Sequence, residues 1–342
     1  MKKIFIAIGA LTIFACQETP KKDYVTLSGK ITDQNSDSII IRSRKYSKTI
    51  KVNADGTFSD TLKVEAGLYN FYDGGESSTI FLKNGYDLDM FLDTKAFDET
   101  ITYTGEGSEN NNFLAEKSLT EEKLLDQDFS SMDLETLDAT FKNIETELTT
   151  FYNSKQGLDS IITTSASKSL SPMLEGNKKY YANNIILKQE MTGKPSPVFV
   201  DYANADGSTT SLESLKGKYV YIDVWATWCA PCKAEIPALK ALEKEYHDKN
   251  ITFVSVSVDD DRTHGGSWDK AKADWLAMVA EEKLGGVQIM SPEGWQSDFV
   301  RDYKVNGIPR FILIDPVGNI VDPSAPRPSD SKLKELFTSL SI

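Results

Sequence analysis

Tyr219-Val-Tyr-Ile-Asp-Val-Trp225 runs directly into Trp228-Cys229-Ala230-Pro231-Cys232, and helix-forming residues follow. The β-branched and aromatic run reads as a buried strand. Pro231 falls in a first helical turn, where its missing N–H costs no hydrogen bond. Two cysteines separated by two residues at this handover can share one disulfide, and the helix N-terminus can lower the first thiol's pKa. The chemistry this junction supports is thiol–disulfide exchange.

The rest of the composition narrows the alternatives. A chain of 342 residues, 40% hydrophobic, is expected to form two domains with packed cores. A net charge of −13 argues against nucleic acid or an anionic membrane surface as partner, since both need basic patches. Cys16, Cys229 and Cys232 are the three cysteines, too few for a structural disulfide framework. With His247 and His264 the two histidines, a single C-x-x-C leaves a zinc tetrahedron incomplete. Neither a metal nor any cofactor beyond the Cys229/Cys232 pair is expected.

Met1-Lys2-Lys3 is a basic start, and Ile4 to Ala15 is an apolar stretch too short to span a bilayer. It ends Ile13-Phe14-Ala15-Cys16, which resembles the bacterial lipobox. That resemblance implies a signal peptide over 1–15, lipid attachment at Cys16 and a polar tether over 16–23. The expected location is the cell envelope, as a periplasm-facing or outer-membrane lipoprotein touching the membrane through its lipid. An ordinary signal peptide with an incidental cysteine is the alternative, and it also exports the chain.

Residues 24–107 read as short strands between glycine-bearing turns: Ser38–Arg42, Lys48–Val52, Thr57–Leu62, Tyr69–Tyr72 and Ser78–Leu82. A small antiparallel, all-β sandwich is expected. Across 108–192 apolar residues recur at helical spacing, including Phe113, Leu137, Phe141, Ile144, Leu148 and Phe151, giving a helical connector read as a helix pair. Its apolar stripes leave a homodimer surface as an alternative to simple packing. From 193 to 342 strands and helices alternate. Strands are expected at Val198–Asp201, Lys218–Trp225, Ile251–Val258, Val287–Met290, Arg310–Asp315 and Ile320–Val321, and helices at Cys232–Tyr246, Trp268–Glu282, Ser297–Tyr303 and Ser331–Leu340. The Asp315–Asn319 turn makes the last two strands antiparallel, so the fold class is α/β with a mixed sheet flanked by helices.

Asp223-Val-Trp-Ala-Thr-Trp-Cys-Ala-Pro-Cys232, then Lys-Ala-Glu-Ile-Pro237 and Gly307-Ile-Pro-Arg310, resemble the thioredoxin superfamily, and more narrowly its TlpA-like thiol–disulfide oxidoreductases of the bacterial envelope. The resemblance covers residues 193–342. It implies a thioredoxin-like domain, and the β-rich segment resembles the N-terminal domain found ahead of such domains in envelope lipoproteins. By that resemblance Cys229 is the attacking thiolate and Cys232 resolves the mixed disulfide. Asp223 corresponds to the family's buried acid, and Glu235, three residues after Cys232, shares that cysteine's helix face. Either carboxyl can take the Cys232 proton if burial raises its pKa. Pro309 matches the family's cis proline, with Ile308 before it pairing substrate backbone, and Trp228 is a substrate platform. Arg310 stands where the family carries a small residue.

The Ala-Pro dipeptide lacks the histidine of oxidising relatives, which tilts the expectation towards a reductase of exported protein disulfides served by an upstream electron donor. A thiol peroxidase is the second enzyme reading, weakened because Ala226 stands where that class needs Thr or Ser. A binding lipoprotein with a vestigial thioredoxin domain is the third. His264 reads as an exposed loop histidine outside the chemistry. The Asp259–Asp261 triplet lacks the pattern of a calcium loop.

Overall fold

The structure, a computed structural model, describes residues 22–342, so Cys16 and the expected signal peptide lie outside the described residues. The chain divides into two compact units. One runs to Phe129 and resumes over Glu135–Lys178, and the other comprises Ser130–Leu134 with Lys179–Ile342.

In the first unit eight strands form two four-stranded sheets. They are β1 (Val25–Thr32), β2 (Ser38–Arg42), β3 (Ser47–Lys51), β4 (Thr57–Leu62), β5 (Gly67–Tyr72), β6 (Ser77–Leu82), β7 (Asp87–Asp93) and β8 (Thr102–Glu106). The sheet orders are β4-β1-β7-β8 and β3-β2-β5-β6, around a shared core that includes Leu27, Ile39, Phe71 and Leu88. The β-sandwich expectation is met, but the expectation of an all-antiparallel one is corrected. β1 and β7 pair in parallel, from Thr26 opposite Asp87 to Thr32 opposite Asp93. Parallel neighbours cannot be joined by a tight turn, and the intervening strands β2 to β6 supply the crossover. β1, β7 and β8 are the strands not singled out from sequence. The three aspartates of Asp87-Leu-Asp-Met-Phe-Leu-Asp93 disfavour a strand, yet alternation buries Leu88, Met90 and Leu92, and sheet pairing overrides local propensity.

The short helix α1 (Phe97–Thr100) precedes β8, and the expected helix pair is in fact three helices: α2 (Ser108–Leu125), α3 (Leu134–Ser154) and α4 (Ser160–Met191). The division between the two units falls inside α4, after Lys178. On α3, Leu137, Phe141, Ile144, Leu148 and Tyr152 form the buried stripe. Its Phe151 stacks on Phe113 of α2 with ring centroids 5.6 Å apart.

Consecutive asparagines tie α2 to both sheets. Asn111 Oδ1 accepts from Phe81 N at 2.7 Å, and its Nδ2 donates to Phe81 O at 3.0 Å. Asn112 does the same for Tyr103, at 2.7 and 2.8 Å. Phe81 lies on β6 and Tyr103 on β8, each an edge strand, so one helical turn supplies both edges with the bonds a further strand would make. Gly107 before the helix has φ +93°, and a Cβ there would lie 2.1 Å from the Tyr86 ring.

In the second unit β9 (Tyr202–Asn204), β10 (Thr209–Thr210), β11 (Tyr219–Trp225), β12 (Ile251–Ser257), β13 (Val287–Met290), β14 (Arg310–Ile314) and β15 (Ile320–Asp322) form one sheet in the order β10-β9-β13-β12-β11-β14-β15. β11, β12 and β13 are parallel, and β14 and β9 run against them. The helices are α5 (Ala230–Glu245), α6 (Trp268–Glu281), α7 (Asp298–Asp302) and α8 (Ser331–Ser339). Val224, Trp225, Val256, Trp275 and Ile312 lie in one core cluster that also contains Cys229 and Cys232. The strand expected at Val198–Asp201 does not form. Its backbone instead bonds to the residues that follow β10: Phe199 O accepts from Leu212 N, and Asp201 N donates to Ser211 Oγ.

Replacing Asn111 by Ala strips partners from two buried backbone groups of Phe81. Asn111→Ala is expected to lower unfolding stability by about 2–3 kcal/mol, more than Ala at exposed Glu116 of the same helix. Denaturant titration of the two variants checks this.

Candidate active site

β11 ends at Trp225 in the middle of the sheet, and α5 begins at Ala230, so the connecting residues are held at both ends. Cys229 is the N-cap of α5. It forms a disulfide with Cys232, and its Sγ accepts from Cys232 N at 3.2 Å. In this disulfide form both cysteines are 4% exposed. Both cysteines belong to the buried core cluster, and Ile308 packs against that cluster.

The Ile308–Pro309 peptide bond is cis. Arg310 pairs with Val224 across the β14–β11 ladder, which sets Pro309 beside the end of the strand that leads to the cysteines. Trp228, next to Cys229, is 45% exposed, whereas Trp225 is buried. Arg310 Nη1 donates to Asn184 Oδ1 of α4 at 3.1 Å. The long cation thus reaches away from the β-ladder and onto the C-terminal part of α4.

The two carboxylates proposed from sequence occupy different surroundings. Asp223, inside β11, is buried with Oδ1 lacking any hydrogen-bond partner. Burial, and then the charges of Glu235 and Glu243, push its carboxyl up to about 8. Glu235 lies one turn into α5 with its carboxylate satisfied. Its Oε2 accepts from Ser329 N at 3.0 Å and Oε1 from Ser329 Oγ at 2.9 Å, while Arg327 Nη1 stands 3.8 Å from Oε1.

A polar network behind the loop was not anticipated. Asp259 is fully buried and accepts from Thr227 N at 3.1 Å, Thr227 Oγ1 at 2.7 Å and Ser257 Oγ at 2.7 Å. His264 is 6% exposed, which corrects its reading as an exposed loop residue. Its Nε2 lies 3.3 Å from Thr227 Oγ1 and 3.5 Å from Asp259 Oδ1. Its Nδ1 is 2.8 Å from Asp260 O, a carbonyl that only accepts, so Nδ1 carries the hydrogen. Thr227 lies two residues before Cys229, so this network fixes the chain that leads into the cysteine pair. The available signal was the acidic triplet following an apolar strand, but a fold was needed to bring it to Thr227. Among the described residues no cluster of His, Cys, Asp or Glu has the arrangement of a metal site.

Residues 191–338 match the Redoxin family. The thiol-disulfide oxidoreductase ResA of Bacillus cereus is 30% identical over 130 residues, 38% of this chain and 67% of that protein. The thioredoxin-like protein YneN of Bacillus subtilis is 32% identical over 130 residues, 38% of this chain and 69% of that protein. The chain belongs to the TlpA-like thiol–disulfide oxidoreductases. A crystal structure of the thioredoxin domain of a thiol-disulfide oxidoreductase from Bacteroides vulgatus is 28% identical, covering 44% of this chain and 96% of that chain with a TM-score of 0.37. The family's oxidoreductase chemistry accounts for the buried cysteine pair at the strand–helix junction.

The Asp259 network makes a separate prediction. Asp259→Ala leaves the Thr227 amide and the Ser257 hydroxyl without their acceptor and is expected to cost about 2–4 kcal/mol of stability. Trp228 fluorescence is expected to become more readily quenched by iodide as the loop loosens. Unaltered denaturation and quenching would contradict the anchoring role.

Proposed function

We propose that the protein is an envelope-anchored reductase of exported protein disulfides, working through Cys229 and Cys232 with no further cofactor. The observation that carries this reading is the placement of Cys229 Sγ at the α5 N-cap, where it accepts the Cys232 N–H. A donor N–H and the helix dipole favour a thiolate there once the disulfide is reduced.

In the proposed cycle the Cys229 thiolate attacks one sulfur of a substrate disulfide. A Cys229–substrate disulfide forms, the substrate S–S bond breaks, and the displaced sulfur leaves as a thiolate that takes up a proton. Cys232 then gives its proton to the Asp223 carboxylate and attacks Cys229 Sγ. The mixed disulfide breaks, the second substrate sulfur departs as a thiolate that takes the proton back from Asp223, and Cys229–Cys232 is left oxidised. Two electrons have moved to substrate, and an upstream dithiol donor returns the pair to its reduced form. Asp223 suits the proton-accepting role because it is buried, unpaired at Oδ1 and has its carboxyl pushed up to about 8, towards the range of a thiol. Glu235, bonded twice by Ser329, is assigned to holding local charge. The reducing direction is supported by the Ala230-Pro231 dipeptide, which offers the thiolate no imidazole. Anchoring is supported by the lipobox resemblance ending at Cys16.

Insulin reduction with a recycling reductant tests the mechanism. Cys229→Ala is expected to abolish turnover, and Cys232→Ala to accumulate mixed disulfides visible on non-reducing gels. Full activity in Cys229→Ala would contradict the nucleophile assignment. Cys16→Ala is expected to move the protein out of the membrane fraction, and an unaltered chain already found in the soluble fraction would contradict anchoring.

The pH dependence follows from Asp223. A carboxyl accepts a proton only when ionised, so the resolving step is expected to quicken as pH rises through about 8. Asp223→Asn is expected to slow that step and remove this inflection. Stability runs the opposite way: a carboxyl raised from 3.8 to about 8 on folding stabilises fully below 3.8, and that contribution is lost as pH climbs to about 8. Unfolding free energy should therefore fall across that window in the natural chain and fall less in Asp223→Asn. Parallel curves would contradict the burial account.

A further inference from the structure

Beside cis Pro309 lies a cavity of about 420 Å³ lined also by the C-terminal part of α4. Ile308, Pro309, Arg310, Tyr180, Asn184 and Arg327 are among its lining residues. The charges at this cavity do not balance. Lys304 and Glu190 neutralise each other at 2.6 Å. Asp322, near Arg310, is taken by Lys188 at 2.9 Å. Arg310 spends one Nη1 hydrogen on the neutral Asn184 amide, and among the described residues no carboxylate lies within ion-pairing distance of it. Arg327 is 3.8 Å from Glu235, whose two oxygens are already held by Ser329.

Two guanidinium groups thus face one cavity with planar donors left over, in a chain whose net charge is −13. Burial lowers the Arg310 pKa from its ordinary value, a desolvation cost that an incoming anion relieves. The cavity also touches the reaction centre twice. Ile308 packs on the cluster holding both cysteines, and Arg327 approaches Glu235 of α5.

We propose that this cavity is a specificity subsite that takes an Asp or Glu side chain of the substrate polypeptide, next to its disulfide, on Arg310 and Arg327. The inference rests on the reductase reading for what occupies the cavity. An acidic segment extended along the cis-proline loop would place its carboxylate between the two arginines while its disulfide lies over Cys229. Arg310, which departs from the family pattern, then selects substrates as well as holding α4.

The test separates binding from turnover. Two labelled peptides carry Ser in place of cysteine and differ only in having Glu or Gln on either side of it. Fluorescence anisotropy with the full chain is expected to give the Glu peptide an affinity about tenfold higher. Arg327→Gln, at an exposed position that folding tolerates, and Arg310→Gln are each expected to shrink that ratio severalfold. Equal affinity for the two peptides, or an unchanged ratio in Arg327→Gln, would overturn the subsite. Disulfide-linked versions of the same peptides report on the reaction itself. Acid-selective binding with neither peptide reduced would overturn the reductase reading and leave the anion site standing.

Discussion

One hydrogen bond organises the reaction centre: the Cys232 N–H donated to Cys229 Sγ at the first turn of α5. A helix leaves its first N–H groups without intrahelical partners, and a sulfur at the N-cap answers that need. The bond requires the chain to pass from β11 into α5 without play. Sheet neighbours on both sides of β11 and the buried Asp259 carboxylate on Thr227 together meet that requirement. The placement of the two sulfurs thus depends on a group some thirty residues away in sequence, Asp259.

The two carboxylates named from sequence have different surroundings. Ser329 gives Glu235 two donors, and Arg327 adds a nearby positive charge. Asp223 sits in an apolar strand with an unpaired oxygen and two negative neighbours, so its neutral form persists to about 8. A buried acid without a partner costs stability at higher pH. Arg327, between the Glu235 carboxylate and the cavity beside Pro309, joins the reaction centre to the proposed substrate contacts.

What could be read from the sequence was what local pattern carries. The strand–helix handover at Trp225 to Cys232, the Asp315–Asn319 turn and the helical stripe of α3 each declare themselves within a few residues, and the structure has all three. Much of what escaped depends on distance. β7 is a strand because β1 and β8 pair with it, despite its aspartates. Asn111 and Asn112 look like ordinary helix-start residues until the edges of two sheets arrive beside them. His264 and Asp259 read as a polar loop because nothing in the chain announces Thr227 as their partner. At the site, the cysteine pair was legible from its spacing and Asp223, Glu235 and Pro309 from the resemblance of their motifs to the TlpA-like family, whereas the different surroundings of the two acids needed the positions of Ser329 and Arg327.

The most direct test of the central interaction is the titration of the Cys229 thiol in the reduced full chain. Thiolate absorbance near 240 nm followed against pH, with Cys232→Ser to assign the transition, measures it. A sulfur stabilised by the α5 N-terminus is expected to ionise well below the free-cysteine value of about 8.5. A transition at or above that value would mean that the helix start does not favour the thiolate, and the proposed nucleophile would lose its physical basis.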